Sequence, residues 1–435
     1  MNTPPTLVVA GLSARLLAEG AARDGYRVIA LDAFGDLDTR HCAADWRPIG
    51  ARGAAGGPRL DPDRTVQALH AAAREPGVLG WVAGSDFECE PELLARAAGA
   101  LPLIGTPPEA VRRVREPAAF FAALARHGLA HPETRLEPPA DPRGWLRKCA
   151  RGSGGWHIRA ADDARGLDPA RAPYHQRRIE GTPMSVVFAA DGRAARRLGV
   201  QRLLVRPLGA HPFVYRGAVG PLALPAARLA ALDGALQALA REFGLRGLCS
   251  LDFVDDGDQA WLLEVNPRPS ASLALYGPGW MRAHVEAALH GRLPAVDRAN
   301  AETAPGDAGP AGATPADAGR ADRATAVTPA PSAGTAGSSE TGPRAPVRAD
   351  ADRPTVRGTK IVFARTSLAF DAARAQSLAA RADCHDLPAA GSRFAPGDPV
   401  CSVDAEGPDV DAVIGALAAK RRALRDAWAT EDPRA

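Results

Sequence analysis

The chain has 435 residues, with 53 lysines and arginines against 50 acidic residues and a formal net charge of +3. That length exceeds one ordinary core and predicts two to three domains, while the small net charge and the lack of basic runs exclude a nucleic-acid footprint. Six scattered cysteines (Cys42, Cys89, Cys149, Cys249, Cys384, Cys401) form no C-x-x-C pair, which argues against a zinc site or disulfide framework.

The opening Met1-Asn2-Thr3-Pro4-Pro5 has no basic region leading into an apolar run, and no stretch reaches the roughly 20 apolar residues a membrane span needs. A soluble cytoplasmic protein with reduced thiols is expected, with no membrane partner. Leu7 to Ala10, a helical pattern through Leu16, Leu17 and Ala21, and Tyr26 to Leu31 form a βαβ opening. With Gly80 to Gly84, the helical stretch Pro91 to Ala100 and Leu101 to Gly105, residues 1–105 predict a small parallel α/β domain. Gly11-Leu12-Ser13 is no dinucleotide fingerprint.

Glu109 to His127 predicts a helix. Strands follow at Trp145 to Ala150, Tyr174 to Ile179, Met184 to Ala189 and Ala194 to Val200, then a helix over Leu229 to Phe243 with Leu232, Leu236 and Leu239 on one face. Gly247 to Val254 and Trp261 to Val265 flank the turn Asp255-Asp256-Gly257-Asp258 as a hairpin, and Trp280 to Gly291 closes residues 106–296 as an α+β domain. Residues 297–355 are rich in Ala, Pro and Gly and predict a disordered linker. Residues 356–435 predict a separate small β-rich lobe that ends in a helix over Asp409 to Trp428.

Only three lysines and three asparagines occur in the chain, and one of each falls among residues that read as a nucleotide and metal site. Side chains alternate along a strand, so Asp252 in the first arm of the hairpin and Glu264 in the second can share a face, with Asn266 two residues on. Two carboxylates and an amide carbonyl suit magnesium, which keeps positions for phosphate oxygens. Arg268 follows, able to grip a carboxylate or phosphoryl group. Lys148 enters Arg151-Gly152-Ser153-Gly154-Gly155, where glycines let backbone N–H groups approach phosphates and a lysine adds a point charge. No G-K-[ST] closes it, so it is not a Walker loop. Gln176 to Gly181 reads as a strand edge past an adenine, framed by Gln176 and Ile179. His157 and His211 are weak candidates for the base that takes a proton from an amine, and each reads first as ordinary polar surface.

These pieces, in this order, resemble the ATP-grasp superfamily over roughly residues 1–295. The resemblance implies a pre-ATP-grasp α/β domain followed by two α+β lobes holding ATP with Mg2+ (or Mn2+). It assigns phosphate contacts to Lys148 and to the loop residues Ser153, Gly154 and Gly155, adenine recognition to Gln176 and Ile179, and metal binding to Asp252, Glu264 and Asn266. Arg268 and Lys148 are implied as catalytic. Gly84-Ser85-Asp86-Phe87-Glu88, with Pro388, Gly391 and Gly397 to Val400, resembles the carboligase group related to biotin carboxylase. The sequence departs from the family at Gln176, where glutamate is usual, at Pro183-Met184, and at Arg115-Glu116-Pro117, where an Asp-Lys or Asp-Arg pair supplies a second phosphate contact. The activity implied is an ATP-dependent carboxylate–amine ligase forming an acyl phosphate from small-molecule substrates, with homodimerisation common in the family. Bicarbonate-using carboxylation and nucleotide binding without turnover are the alternatives, and family association suggests methanopterin or methanofuran biosynthesis.

Overall fold

The computed structural model describes residues 4–52, 58–163, 165–166, 168–295 and 355–430. In chain order, β1 (Thr6–Ala10), α1 (Arg15–Arg23), β2 (Arg27–Asp32), α2 (Leu37–Cys42), β3 (Asp45–Pro48), the hairpin β4 (Gly50–Arg52) and β5 (Pro58–Leu60), α3 (Pro62–Ala72), β6 (Val78–Ala83) and α4 (Pro91–Ala100) form the first segment. Its sheet has the order β3-β2-β1-β6, all parallel. β1 is buried along its whole length, which is why it reads as an unbroken apolar run and not as alternation.

Helix α1 packs on α8 (Trp280–His290), a helix far along the chain. Gly20 allows it, since a Cβ there would sit 2.2 Å from the Trp280 ring. Gly20→Ala is therefore expected to destabilise the fold by about 1–3 kcal/mol through overpacking, whereas Gly234→Ala, in a helix with open space around that position, should stabilise it by about 0.5–1 kcal/mol. Urea denaturation of the two variants checks the opposite signs.

The single helix expected over Glu109 to His127 is two: α5 (Pro108–Arg115) and α6 (Pro117–Arg126). Pro117 has no N–H to continue a helix, and the Glu116 carboxylate caps the second one by accepting from Ala118 and Ala119 N–H at 3.2 and 2.5 Å. The break leaves Arg115 at the end of α5, where it turns inward.

Two sheets follow. The smaller, ordered β7-β10-β8-β9, comprises β7 (Thr134–Arg135), β8 (Trp145–Cys149), β9 (Arg159–Ala160) and β10 (Pro173–Arg177). The larger is built from β11 (Thr182–Asp191), β12 (Ala195–Leu208), β13 (His211–Gly220), β14 (Arg246–Asp255) and β15 (Ala260–Asn266), with α7 (Ala226–Phe243) burying Leu232, Leu236 and Leu239 against it. β12 runs eight residues past its expected end and β13 was not anticipated. The added stretch carries Arg202 and Arg206 and register shifts around Val205 to Leu208, so neither clean alternation nor an apolar run marks it.

The final segment, expected as a small lobe of its own, adds three of its five strands to this sheet, the other two pairing with each other. β16 (Val356–Phe363) pairs antiparallel with β13, and β17 (Leu368–Ala369), α9 (Ala372–Ala379), β18 (Cys384–His385), β19 (Arg393–Phe394), β20 (Pro399–Gly407) and α10 (Val410–Thr430) follow. The eight-stranded order is β15-β14-β11-β12-β13-β16-β20-β18. The segment also reaches the first sheet's helices: Arg15 Nε donates to Asp386 at 3.0 Å, and Asp38 accepts from the N–H groups of Asp386 and Leu387. Of the expected linker, residues 297–354 lie outside the described residues. Among the described residues no helix is long and apolar enough to cross a membrane.

Candidate nucleotide and metal site

Strands β14 and β15 pair with Asp252 directly opposite Glu264 and Ser250 opposite Asn266. Partners in an antiparallel pair share a face, so the two carboxylates look the same way, and Asn266 Nδ2 donates to Asp252 Oδ2 at 3.1 Å. Burial and the neighbouring Glu264 push the Asp252 carboxyl up, against hydrogen bonds from Ser185 and Asn266. Burial acts on Glu264 in the same direction, but Arg115, His157 and Lys148 outweigh it and hold that carboxyl down. One carboxylate of the pair is thus charge-balanced and the other is not, the donor set a hard divalent cation complements.

Arg115 is the residue that balances it. Its Nη1 donates to Glu264 Oε2 at 2.8 Å, and its Nη2 donates to the carbonyls of Ala150 and Gly152 at 3.0 and 2.8 Å. It therefore ties the carboxylate face to the glycine-rich loop. The motif reading treated Arg115-Glu116-Pro117 only as a departure from the family pattern; the signal was the arginine before a helix-breaking proline.

Lys148 on β8 is 6 % exposed and donates to Gln176 Oε1 on β10 at 2.6 Å, while Gln176 Nε2 donates to Thr134 Oγ1 at 3.1 Å. Burial lowers the lysine's pKa, and Glu264 and Asp252 pull it back up. The smaller sheet's lysine therefore feels both carboxylates of the larger sheet. Ile179 lies beyond the end of β10 and is half-buried.

Across the loop, Gly154 and Gly155 have φ of 60° and 76°. Gly154 O accepts from Tyr215 N–H at 2.9 Å, and Ser153 Oγ donates to Asp86 Oδ1 at 2.8 Å. The loop thus spans from the first segment to β13. A Cβ at Gly155 would lie 1.9 Å from Phe213 O. Gly155→Ala adds this backbone clash to a left-handed conformation costing about 1–2 kcal/mol, so the loop must leave β13. Faster protease cleavage near residues 151–157 and a loss of nucleotide protection are the expected readouts.

His157, expected on the surface, is half-buried: Gly152 makes room, since a Cβ there would be 2.2 Å from the imidazole Cγ. Burial pushes its pKa down to about 4, opposed by Glu264 and aided by Arg115 and Lys148, so it is neutral at physiological pH. His211 sits outside, stacked edge-on against Trp156 with Nδ1 2.8 Å from the Trp156 carbonyl. Arg268 is engaged elsewhere. Its Nε donates to Glu88 Oε1 at 2.7 Å, and Glu88 is 5 % exposed. Asp86 and Glu88, in the segment after β6, thereby reach the loop and the strand pair respectively.

Glu88 Oε2, Arg115 Nε and His157 Nδ1 are buried with no hydrogen-bond partner. Such atoms are costly unless something bound satisfies them, and with the unbalanced Asp252 they fit Mg2+ and a phosphate-bearing nucleotide.

Comparisons with known proteins cover the same part of the chain. Residues 118–272 match the ATP-grasp domain family. The carbamoyl phosphate synthase large chain of Deinococcus radiodurans is 28% identical over 197 residues, which is 40% of this chain and 19% of that protein. That of Streptomyces avermitilis is 26% identical over 193 residues, 40% of this chain and 17% of the other. The matched stretch therefore spans about a fifth of these relatives' length. Among solved structures, an L-amino acid ligase from Bacillus licheniformis superposes with a TM-score of 0.58 at 15% identity, covering 98% of both chains. The biotin carboxylase domain of Hydrogenobacter thermophilus 2-oxoglutarate carboxylase, solved with MgADP and bicarbonate, gives 0.63 at 12%, covering 96% and 90%. A carboxyaminoimidazole ribonucleotide synthase from Aspergillus clavatus, complexed with ATP, gives 0.59 at 13%, covering 98% and 100%. At those identities the structural likeness concerns the fold, and the family match concerns one domain: residues 118–272 of this chain match the ATP-grasp domain family.

Proposed function

We propose that the chain is an ATP- and Mg-dependent ligase that joins a small carboxylate to an amine. The observation that carries the reading is the in-register pair Asp252 and Glu264, with Asn266 beside them and buried Lys148 within their field. Asp252, Glu264 and Asn266 would hold magnesium, which when bound neutralises charge on the phosphates. Lys148, oriented by Gln176, directs a point charge at the same phosphates, and the N–H groups of Ser153, Gly154 and Gly155 cradle them.

A substrate carboxylate oxygen attacks the γ-phosphorus, the bond to the β-bridging oxygen breaks, and ADP leaves an acyl phosphate. The amine nitrogen then attacks the acyl carbon, phosphate departs, and the amine's proton passes to a base. The glycine loop, held to β13 through Tyr215 N–H, shields the intermediate from water.

Phosphate release from Mg-ATP across a panel of acids and amines tests the reading. The panel includes bicarbonate and acids of one-carbon carrier synthesis, such as methanofuran and methanopterin precursors. Release requiring one acid and one amine supports the ligase. Dependence on bicarbonate identifies a carboxylase, and calorimetric ATP binding with no release from any pairing indicates a nucleotide-binding module.

A further inference from the structure

Many arginines among the described residues lie against a carboxylate, as Arg197 does with Asp233 and Arg228 with Asp255. One spatially clustered group does not. Arg206 on β12, Arg216 on β13, Lys360 on β16 and Arg421 and Arg425 on α10 form no ion pair among the described residues. The strands bring them together: Gly217, next to Arg216, is the register partner of Lys360, and α10 packs over β16. Lys360 is surrounded by Arg421, Arg216, Arg206 and Arg425, and burial among these like charges pushes its pKa down to about 8.

Backbone carbonyls hold three of the guanidinium groups without neutralising them, Arg206 Nη1 donating to Val205 O at 3.3 Å. Arg216 donates to Pro207 O, and Arg425 Nη2 donates to Phe363 O at 2.9 Å. The Nε atoms of Arg216, Arg421 and Arg425 remain buried with no partner, and Arg216 is only 9 % exposed. Held this way, the cations repel one another and lack the counter-charge that buried charge normally finds. Lys360 is also one of three lysines in a chain whose basic residues number 53, a compact charge in an arginine setting.

We propose that Arg216, Lys360, Arg421 and Arg425, with Arg206 at the rim, form a subsite for a phosphoryl group on a small-molecule ligand, separate from the nucleotide phosphates. Its position connects it to the loop: the Arg216 guanidinium lies 5.4 Å from the Phe363 ring centroid, and Trp156 of the glycine loop packs edge-on against the same ring at 6.2 Å. If the ligase reading holds, the ligand is one of its substrates; the anion subsite does not depend on that.

Calorimetric titration of inorganic phosphate and pyrophosphate into the wild type, Lys360→Met/Arg421→Gln and Lys148→Met tests it. Loss of charge-assisted contacts should weaken pyrophosphate binding by about tenfold or more in the double variant, with binding retained in Lys148→Met. The ligand-free double variant should melt no lower than the wild type, because two mutually repelling charges are gone, and pyrophosphate should raise the melting temperature of the wild type and of Lys148→Met but not that of the double variant. Pyrophosphate binding unchanged in the double variant, binding lost only in Lys148→Met, no binding to any protein, or a ligand-free double variant that melts lower would overturn the proposal. None of these outcomes involves turnover, so failure of the ligase reading leaves them interpretable.

Discussion

Replacing Glu264 with glutamine is expected to lower Mg-ATP-dependent phosphate release by about 100- to 1,000-fold, the loss typical when a group that stabilises transition-state charge is removed. The amide keeps the side chain's shape and its place opposite Asp252 on β14. What changes is charge: one of the two carboxylates facing the metal position is gone, and Arg115 loses its anionic partner while keeping its bonds to Ala150 O and Gly152 O. The loop should therefore stay in place, and circular dichroism and melting temperature should change far less than activity. Asp252→Asn should act in the same direction. The double variant should be little worse than either single, because both carboxylates serve one ion and residues that act as a unit are not additive. Release within tenfold of wild type in Glu264→Gln would remove Glu264 from the metal face.

The strand pair was legible because its chemistry follows from period-two alternation alone: Asp252, Glu264 and Asn266 could be placed on one face without knowing what packs against them. Three strands of the first sheet, β1, β2 and β6, were legible as short apolar runs, whereas β3 is the polar Asp45–Pro48 and carries no such run. What the residues did not disclose lies in contacts between distant segments. Arg115 reads as one more charge within a helix until Pro117 breaks that helix and aims it at Glu264. His157 reads as surface until Gly152 makes room for its ring. The far half of β12 carries too much charge to show a pattern, and its place and that of β13 in the sheet come from β11 on one side and β16 on the other. The continuity of β16 with β13 spans more than a hundred residues of chain, a pairing no local periodicity reports.

Glu88→Gln is expected to cost about 3–5 kcal/mol of stability, the usual penalty for leaving one member of a buried ion pair without its partner. Arg268 donates to Glu88 Oε1 from Nε, and its Nη2 lies 2.7 Å from the same oxygen, with the glutamate side chain only 2 % exposed. Glu88 follows β6 and Arg268 follows β15, so the pair also joins the parallel sheet to the strand pair of the candidate metal face. Adding Arg268→Met should restore much of the loss, because a neutral side chain needs no counter-charge, and the double variant should be more stable than Glu88→Gln alone in urea denaturation. Nucleotide then separates two roles for the arginine. If its guanidinium faces the transferred phosphoryl group, Mg-ATP supplies the missing negative charge and raises the melting temperature of Glu88→Gln more than that of the wild type. If Mg-ATP shifts both equally, the guanidinium serves only to hold the two layers together, and the phosphoryl contact rests on Lys148 and the glycine loop.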